Sequence, residues 1–283
     1  MNVLSLFDGM SCGQIALNRL GIKYDNYYAS EIDKYAIKVT QKNYPNTIQL
    51  GDVTKIKGKD LPKIDLLIGG SPCQGFSFAG KQLNFEDPRS KLFFEYVRLL
   101  NECKPKYFLL ENVKMKKESQ DIISKYLGVE PIEICSSLVS AQSRKRLYWT
   151  NKGTTKNNLF VKKQGIEQPK DKGIKIKDVI GAYCDIVINQ GKEAKKININ
   201  KGSCLLARDY KGFGNQGQTG VRVEGGLWRK LTPSECERLQ TVPDNYTEGV
   251  SNTQRYKMLG NGWTVDVICH IFKNMEFLKK KIN

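Results

Sequence analysis

The segment GGSPCQGFS at 69–77 follows the apolar run IDLLI and sets Cys73 directly after Pro72 on a glycine- and serine-rich turn. A turn leaving a buried strand presents its side chains at the carboxyl edge of the sheet, where α/β folds bind ligands. The thiolate is the reactive form, and a free thiol titrates at about 8.5, so such a nucleophile draws on its surroundings or its substrate at neutral pH. Cys73 is a candidate nucleophile, weighed against a plain buried turn cysteine. LLENV at 109–113 ends a second apolar run and projects Glu111 from the same edge. A carboxyl group held there away from bulk water keeps or donates a proton; the plainer reading is a cap on the following turn. In QSRKRLYW at 142–149, Arg144 and Arg146 fall on one side of an extended segment, because side chains alternate with a period of two. Two guanidiniums facing one way suit a phosphate or a base oxygen, or are simply solvated.

A second group of residues suits a small-molecule site. The loop Asp8-Gly9-Met10-Ser11-Cys12-Gly13 joins a strand to a helix yet lacks the G-x-G-x-x-G spacing, which argues against a dinucleotide and its pyrophosphate. Glu31, at the end of the next candidate strand, stands where a carboxylate grips ribose hydroxyls. Asp52, after a third strand, suits an adenine amino group, and Phe7 or Ile32 suits the face of the ring. The set fits a nucleoside without phosphates, and each carboxylate has the alternative reading of a helix cap.

These residues need a scaffold, and the first 150 residues alternate short apolar runs with amphipathic stretches, the pattern of a doubly wound, mostly parallel α/β sheet. Strands are predicted at Val3 to Phe7, Tyr27 to Ser30, Thr47 to Leu50, Leu66 to Gly69, Tyr107 to Leu110 and Leu147 to Trp149. Helices are predicted over Cys12 to Arg19, Lys34 to Tyr44 and Leu92 to Cys103, the last ended by Pro105. From about Asn151 the chain turns to Lys, Asn, Gly and Gln, with β-like runs at Ile186 to Ile188 and Cys204 to Ala207, as expected of a small separate domain or insertion. Thr232-Pro233-Ser234-Glu235 then reads as a capping box, and Asp266 to Leu278 as a final helix.

Charge points to a polyanionic partner. The 283-residue chain carries a formal +17, and residues 150 to 228 hold 15 Lys+Arg against 7 Asp+Glu, so the insertion is the more basic part. No apolar stretch approaches a membrane span and no secretory leader is visible, which leads us to expect a cytoplasmic protein. Eight cysteines without a Cys-x-x-Cys pair, with a single histidine, His270, argue against zinc.

In order along the chain, SLFDGMSCG, ASEID, GDV, GGSPCQGFS, RSKLFFEYVRLL, ENV, QSRKRLYW, LTPSECERLQTVPDNYT and MLGNGWTVDVI closely resemble the cytosine-5 DNA methyltransferases. The likeness covers everything but much of 152–226, and SLFDG and GNGW lean toward the animal de novo-type branch, while the compact lysine-rich chain suits a bacterial or viral relative. The resemblance implies an S-adenosylmethionine-dependent, Rossmann-like fold acting on double-stranded DNA. Residues 1–151 would form the catalytic and cofactor-binding domain, 152–226 the target-recognition region and 227–283 a return completing the first. It implies that Cys73 adds to C6 of a flipped-out cytosine, that Glu111 binds the N3 edge, that Arg144 and Arg146 hold the base at its ring oxygen, and that Pro72 supplies rigidity and a carbonyl. It further implies a cofactor site of Phe7, Asp8, Gly9, Glu31, Ile32, Asp52, Asn261 and Trp263, a DNA-closing loop at Gly75 to Lys91, and no metal. Arg208, Lys211, Gln216 and Arg222 are the candidate DNA contacts within the insertion. A transfer RNA cytosine-5 methyltransferase and a catalytically silent DNA-binding relative are the competing readings.

Overall fold

The buried strands are near-continuous apolar runs because both of their faces are covered. Leu66 and Ile68 point into one core layer while Leu67 between them points into the other, and Val3 and Leu4 divide the same way. In a computed structural model of the chain, which describes residues 1–72, 91–152, 154–155 and 163–275, this pattern builds a seven-stranded sheet. Its strands and flanking helices are β1 (Asn2–Leu6), α1 (Cys12–Arg19), β2 (Asn26–Ser30), α2 (Lys34–Asn43), β3 (Ile48–Gln49), β4 (Leu66–Gly69), α3 (Lys91–Cys103), β5 (Tyr107–Val113), α4 (Lys117–Leu127), β6 (Ile132–Cys135) and β7 (Lys145–Thr150). The strand order is β3-β2-β1-β4-β5-β7-β6, parallel throughout except that β7 runs antiparallel to both β5 and β6. The strand order runs outward in opposite directions from β1 and from β4, and such a switch point is where open sheets leave a crevice at their carboxyl ends.

Beyond β7 come β8 (Thr154–Thr155), β9 (Lys163–Gln164), α5 (Ile176–Ile180), β10 (Cys184–Ile188), β11 (Glu193–Lys196), β12 (Gln218–Arg222) and β13 (Trp228–Lys230). The last four strands form an antiparallel sheet in the order β11-β10-β12-β13. The run Cys204 to Ala207, expected to be β-like, is not a strand. The amide and carbonyl of Leu205 are taken instead by side chains, Gln142 Oε1 at 2.9 Å and Arg144 Nη1 at 2.9 Å, so no ladder forms. Ile176, Cys184, Leu205 and Val221 join the same apolar cluster as Val3 and Leu66, so the two sheets share a continuous core.

The chain returns through α6 (Pro233–Leu239), α7 (Asn252–Asn261) and α8 (Val265–Lys273). The expected capping box is present at α6: Thr232 Oγ1 accepts from the Glu235 amide at 3.2 Å and Glu235 accepts from the Thr232 amide at 2.7 Å. Helix α8 packs on α1, burying Val265, Ile268 and Phe272, each such side chain stabilising the fold by roughly 1.5–3 kcal/mol. No helix among the described residues is long and apolar enough to cross a membrane.

Candidate active site

The carboxyl ends of β1, β2, β4 and β5 open into one cavity of about 480 Å³, a size suited to a small organic ligand. Its walls include Phe7, Asp8, Gly9, Glu31, Pro72, Glu111, Arg144, Arg146, Asn261 and Trp263, ten residues singled out from sequence and here brought together. Cys73, with residues 75–90 of the loop that follows it, lies outside the described residues.

The loop after β1 bends through left-handed backbone at Phe7 (φ 57°), Gly9 (φ 58°) and Ser11 (φ 63°). Non-glycine residues adopt that region at a cost of about 1–3 kcal/mol, and here hydrogen bonds impose it. Asp8 accepts from Ser5 Oγ at 2.5 Å, Ser11 Oγ at 2.6 Å and Tyr27 OH at 2.8 Å. Burial pushes the Asp8 carboxyl up to about 6 against these donors. Glu31 Oε2 accepts from the Gly9 amide at 2.7 Å, and its Oε1 accepts from the amides of Ile32 at 2.7 Å and Asp33 at 2.8 Å, so the carboxylate is fixed at the cavity wall.

Two expected cofactor residues stand apart from the wall. Ile32 is 77% exposed beside Glu31, an apolar side chain open to solvent. Asp52 turns to its own turn, Oδ1 accepting from the amide and hydroxyl of Thr54, each at 2.9 Å, and these donors lower its pKa.

Glu111 is buried at the end of β5 and held from two sides. Arg146 Nε lies 3.0 Å from Oε1, and the indole Nε1 of Trp263 donates to Oε2 at 3.1 Å. Burial raises the Glu111 pKa, with Arg146, Arg144 and Trp263 acting against the rise. The indole can come this close because Gly70 carries no Cβ: one built there would sit 3.0 Å from Trp263 Nε1 and 3.2 Å from Glu111 Oε2. Trp263 therefore touches the acid as well as lining the cavity.

Arg144 and Arg146 both reach the cavity, as period-two spacing implies, yet they differ in use. Arg144 is 4% exposed; its Nη1 donates to Leu205 O at 2.9 Å and its Nη2 to Gly260 O at 3.0 Å and Gly262 O at 2.9 Å. It thus bolts together segments far apart in the chain instead of presenting its full guanidinium to a base; only Nε has no partner among the described residues. Sequence reasoning also passed over Asn112, which donates to Ser71 at 3.3 Å and steadies the turn before Pro72, and Lys257, which lines the cavity from α7. The buried Gln142 and Gln240 went unassigned as well, although both lie within the quoted motifs: Gln142 Nε2 donates to Gln240 Oε1 at 3.0 Å, and Gln240 Nε2 to Gly262 O at 3.0 Å.

The DNA-contact candidates fare unequally. Arg222 is not on a loop: it ends β12 and pairs with the fully buried Asp185 at 2.8 Å, which also accepts from Trp228 Nε1 at 2.7 Å and the Asn198 amide at 2.7 Å. A buried carboxylate needs such partners, so Arg222 is committed to the sheet. Arg208 and Gln216 bond to each other on an exposed loop, and Lys211 lies exposed beside Tyr210.

The family model for C-5 cytosine-specific DNA methylase matches residues 1–204 and 117–276. The chain is 32% identical to the type II methyltransferase M1.ScrFI of Lactococcus lactis subsp. cremoris over 98% of its length and 79% of that protein. It is 29% identical to the type II methyltransferase M.HhaI of Haemophilus parahaemolyticus over 97% of its length and 94% of that protein. Among solved structures, the S. pombe Dnmt2 methyltransferase shares the fold with a TM-score of 0.71 at 19% identity, covering 96% of this chain and 97% of that one.

Proposed function

The chain belongs to the C-5 cytosine-specific DNA methylase family, which makes it a DNA cytosine-5 methyltransferase, and we propose that it works through a covalent bond between Cys73 and C6 of a cytosine turned out of duplex DNA. The observation that carries this reading is the buried Glu111, held between Arg146 and Trp263 in the same cavity as Pro72 and Glu31.

A cytosine entering the cavity meets Glu111 at its N3 edge. Because burial raises the pKa of that carboxyl, it is suited to carry a proton to N3 and draw electron density from the ring. Carbon 6 then accepts the Cys73 thiolate, and carbon 5 becomes nucleophilic. S-adenosylmethionine supplies the electrophilic methyl group. Loss of the C5 proton and departure of Cys73 restore the aromatic ring. Arg146 fits the ring oxygen, while Arg144 holds the wall on which Arg146 and Trp263 depend. Extruding the base costs a few kcal/mol, which these contacts and those to the DNA backbone offset.

The lining fits that cofactor: Glu31 offers a fixed carboxylate to ribose hydroxyls, Phe7, Asp8, Gly9, Asn261 and Trp263 surround it, and exposed Ile32 is free to cover an adenine face. Asp52 would meet the adenine amino group with Oδ2, since its bonds to Thr54 use Oδ1. In this reading 1–151 and 227–283 form the catalytic unit and 152–226 the recognition region. Arg208, Lys211 and Gln216 are its exposed contacts, and Arg222 is its internal brace. Duplex DNA and transfer RNA, incubated in parallel with the cofactor and then read by bisulfite sequencing, test the assignment. Methylcytosine is expected in DNA at a fixed sequence context; methylation confined to RNA would refute it.

A further inference from the structure

Lysines from three separate segments gather around Tyr210 at the edge of the cavity. Lys211 Nζ lies 5.9 Å from the Tyr210 ring centre and Lys257 Nζ, from α7, lies 5.8 Å from the same ring. Lys230 Nζ, from β13, donates to the Tyr210 carbonyl at 3.2 Å and stands 5.0 Å from the Tyr256 ring. None of the three has a carboxylate at ion-pair distance among the described residues. The nearby acids are engaged elsewhere: Asp209 accepts from the Leu206 amide and from Gln218, and Glu235 is paired with Arg229 at 2.8 Å. Lys257 is also part of the cavity wall.

Like charges gathered around one residue repel one another, and a polyanion relieves that repulsion. Ammonium groups are point charges that hold phosphates without reading bases, and a DNA strand offers a phosphate every 3.4 Å or so along its axis. Tyr210 is the common neighbour of all three ammonium groups, its ring beside Lys211 and Lys257 and its carbonyl accepting from Lys230. We propose that Lys211, Lys230 and Lys257 form a phosphodiester-binding site that grips the DNA strand next to the extruded cytosine. This rests on the DNA methyltransferase reading above and adds to it a specific anchoring surface, formed jointly by the recognition region and the return segment.

The test is the salt dependence of affinity for a duplex oligonucleotide, compared between the parent protein and the triple variant Lys211→Gln, Lys230→Gln, Lys257→Gln. Each phosphate contact contributes a slope of about −0.9 to log affinity against log salt, so the triple variant is expected to lose roughly 2–3 from the slope. A second triple variant on the exposed edge strand and the residue before it, Lys192→Gln, Lys195→Gln, Lys196→Gln, removes the same charge elsewhere. It is expected to keep the parental slope. The thermal unfolding midpoint, measured by calorimetry, should be near parental in both and reports that each is folded. If the parent methylates duplex DNA and the first triple keeps its slope, or both triples lose slope equally, the site is refuted while the methyltransferase reading stands. If the parent neither binds nor methylates duplex DNA, that reading has failed and this site falls with it.

Discussion

Arg146 with Glu111 and Arg222 with Asp185 are the same chemical pair in two settings. In the four-stranded antiparallel sheet Asp185 is saturated: Arg222 contacts both of its oxygens, Trp228 and the Asn198 amide add further donors, and these partners outweigh burial to lower its pKa. In the cavity each oxygen of Glu111 has one donor among the described residues, burial prevails, and its pKa is raised. A saturated buried pair braces structure, whereas an under-satisfied one lining a cavity retains capacity for a substrate. The contrast shows why an arginine in a basic segment need not be free to meet a polyanion.

The largest expected effect falls on the under-satisfied pair. Glu111→Gln keeps the shape but removes the transferable proton, and kcat should drop about 10²- to 10⁴-fold, as for loss of a general acid. Calorimetric affinity for S-adenosylmethionine should stay near parental; a variant with parental kcat would remove Glu111 from the mechanism.

Arg222→Gln probes the saturated pair. Asp185 would be left buried and short of a cation, at about 2 kcal/mol once the partial exposure of Arg222 is allowed for. That corresponds to a Tm lowered by roughly 4–8 °C, with sequence preference unchanged. An altered preference at an unchanged Tm would make Arg222 a reader of DNA after all.

A smaller effect is expected at Trp263, where Phe keeps the ring and deletes the N–H. That donor favours ionised Glu111, so its loss raises the Glu111 pKa further. Activity that needs the protonated acid is present below that pKa and lost as pH rises through it, so the alkaline limb of the kcat profile should move to higher pH. The kcat itself should fall about tenfold, equivalent to about 1.4 kcal/mol. If Trp263 serves only as a cofactor wall, KM for S-adenosylmethionine will rise and the pH profile will not move.

What was legible in the sequence follows the same division. Strands β1, β4 and β5 announced themselves as apolar runs, and the residues at their carboxyl ends are those that line the cavity. Helices α1 and α6 had local signals, a small-residue loop and a capping box, and α1 spans the expected residues. Helix α7 was missed because its sequence, NTQRYKMLGN, is largely polar; it is buried by packing on the 204–211 segment, a tertiary effect. Gly260 within it shows how tightly, since a Cβ there would lie 2.2 Å from the backbone of Leu206 and Ala207. Arg144 was read as facing a base because its acceptors, Leu205, Gly260 and Gly262, are remote in sequence and leave no trace in local pattern. Asp52 kept two readings, cofactor contact and cap, because a local turn with Thr54 looks the same in sequence as a free carboxylate.

The central claim is the bond between Cys73 and C6, and trapping it is the most direct measurement. A duplex carrying 5-fluorocytosine at the target presents fluorine where the C5 proton must leave, so elimination stalls after methyl transfer. Incubated with S-adenosylmethionine, the protein should give a protein–DNA species that survives denaturing electrophoresis, with mass spectrometry placing the adduct on the peptide containing Cys73. Cys73→Ser should abolish it, while replacement of Cys204, whose thiol lies 3.3 Å from Arg144, should not. An adduct on any other cysteine, or methylation sustained by Cys73→Ala, would contradict the account.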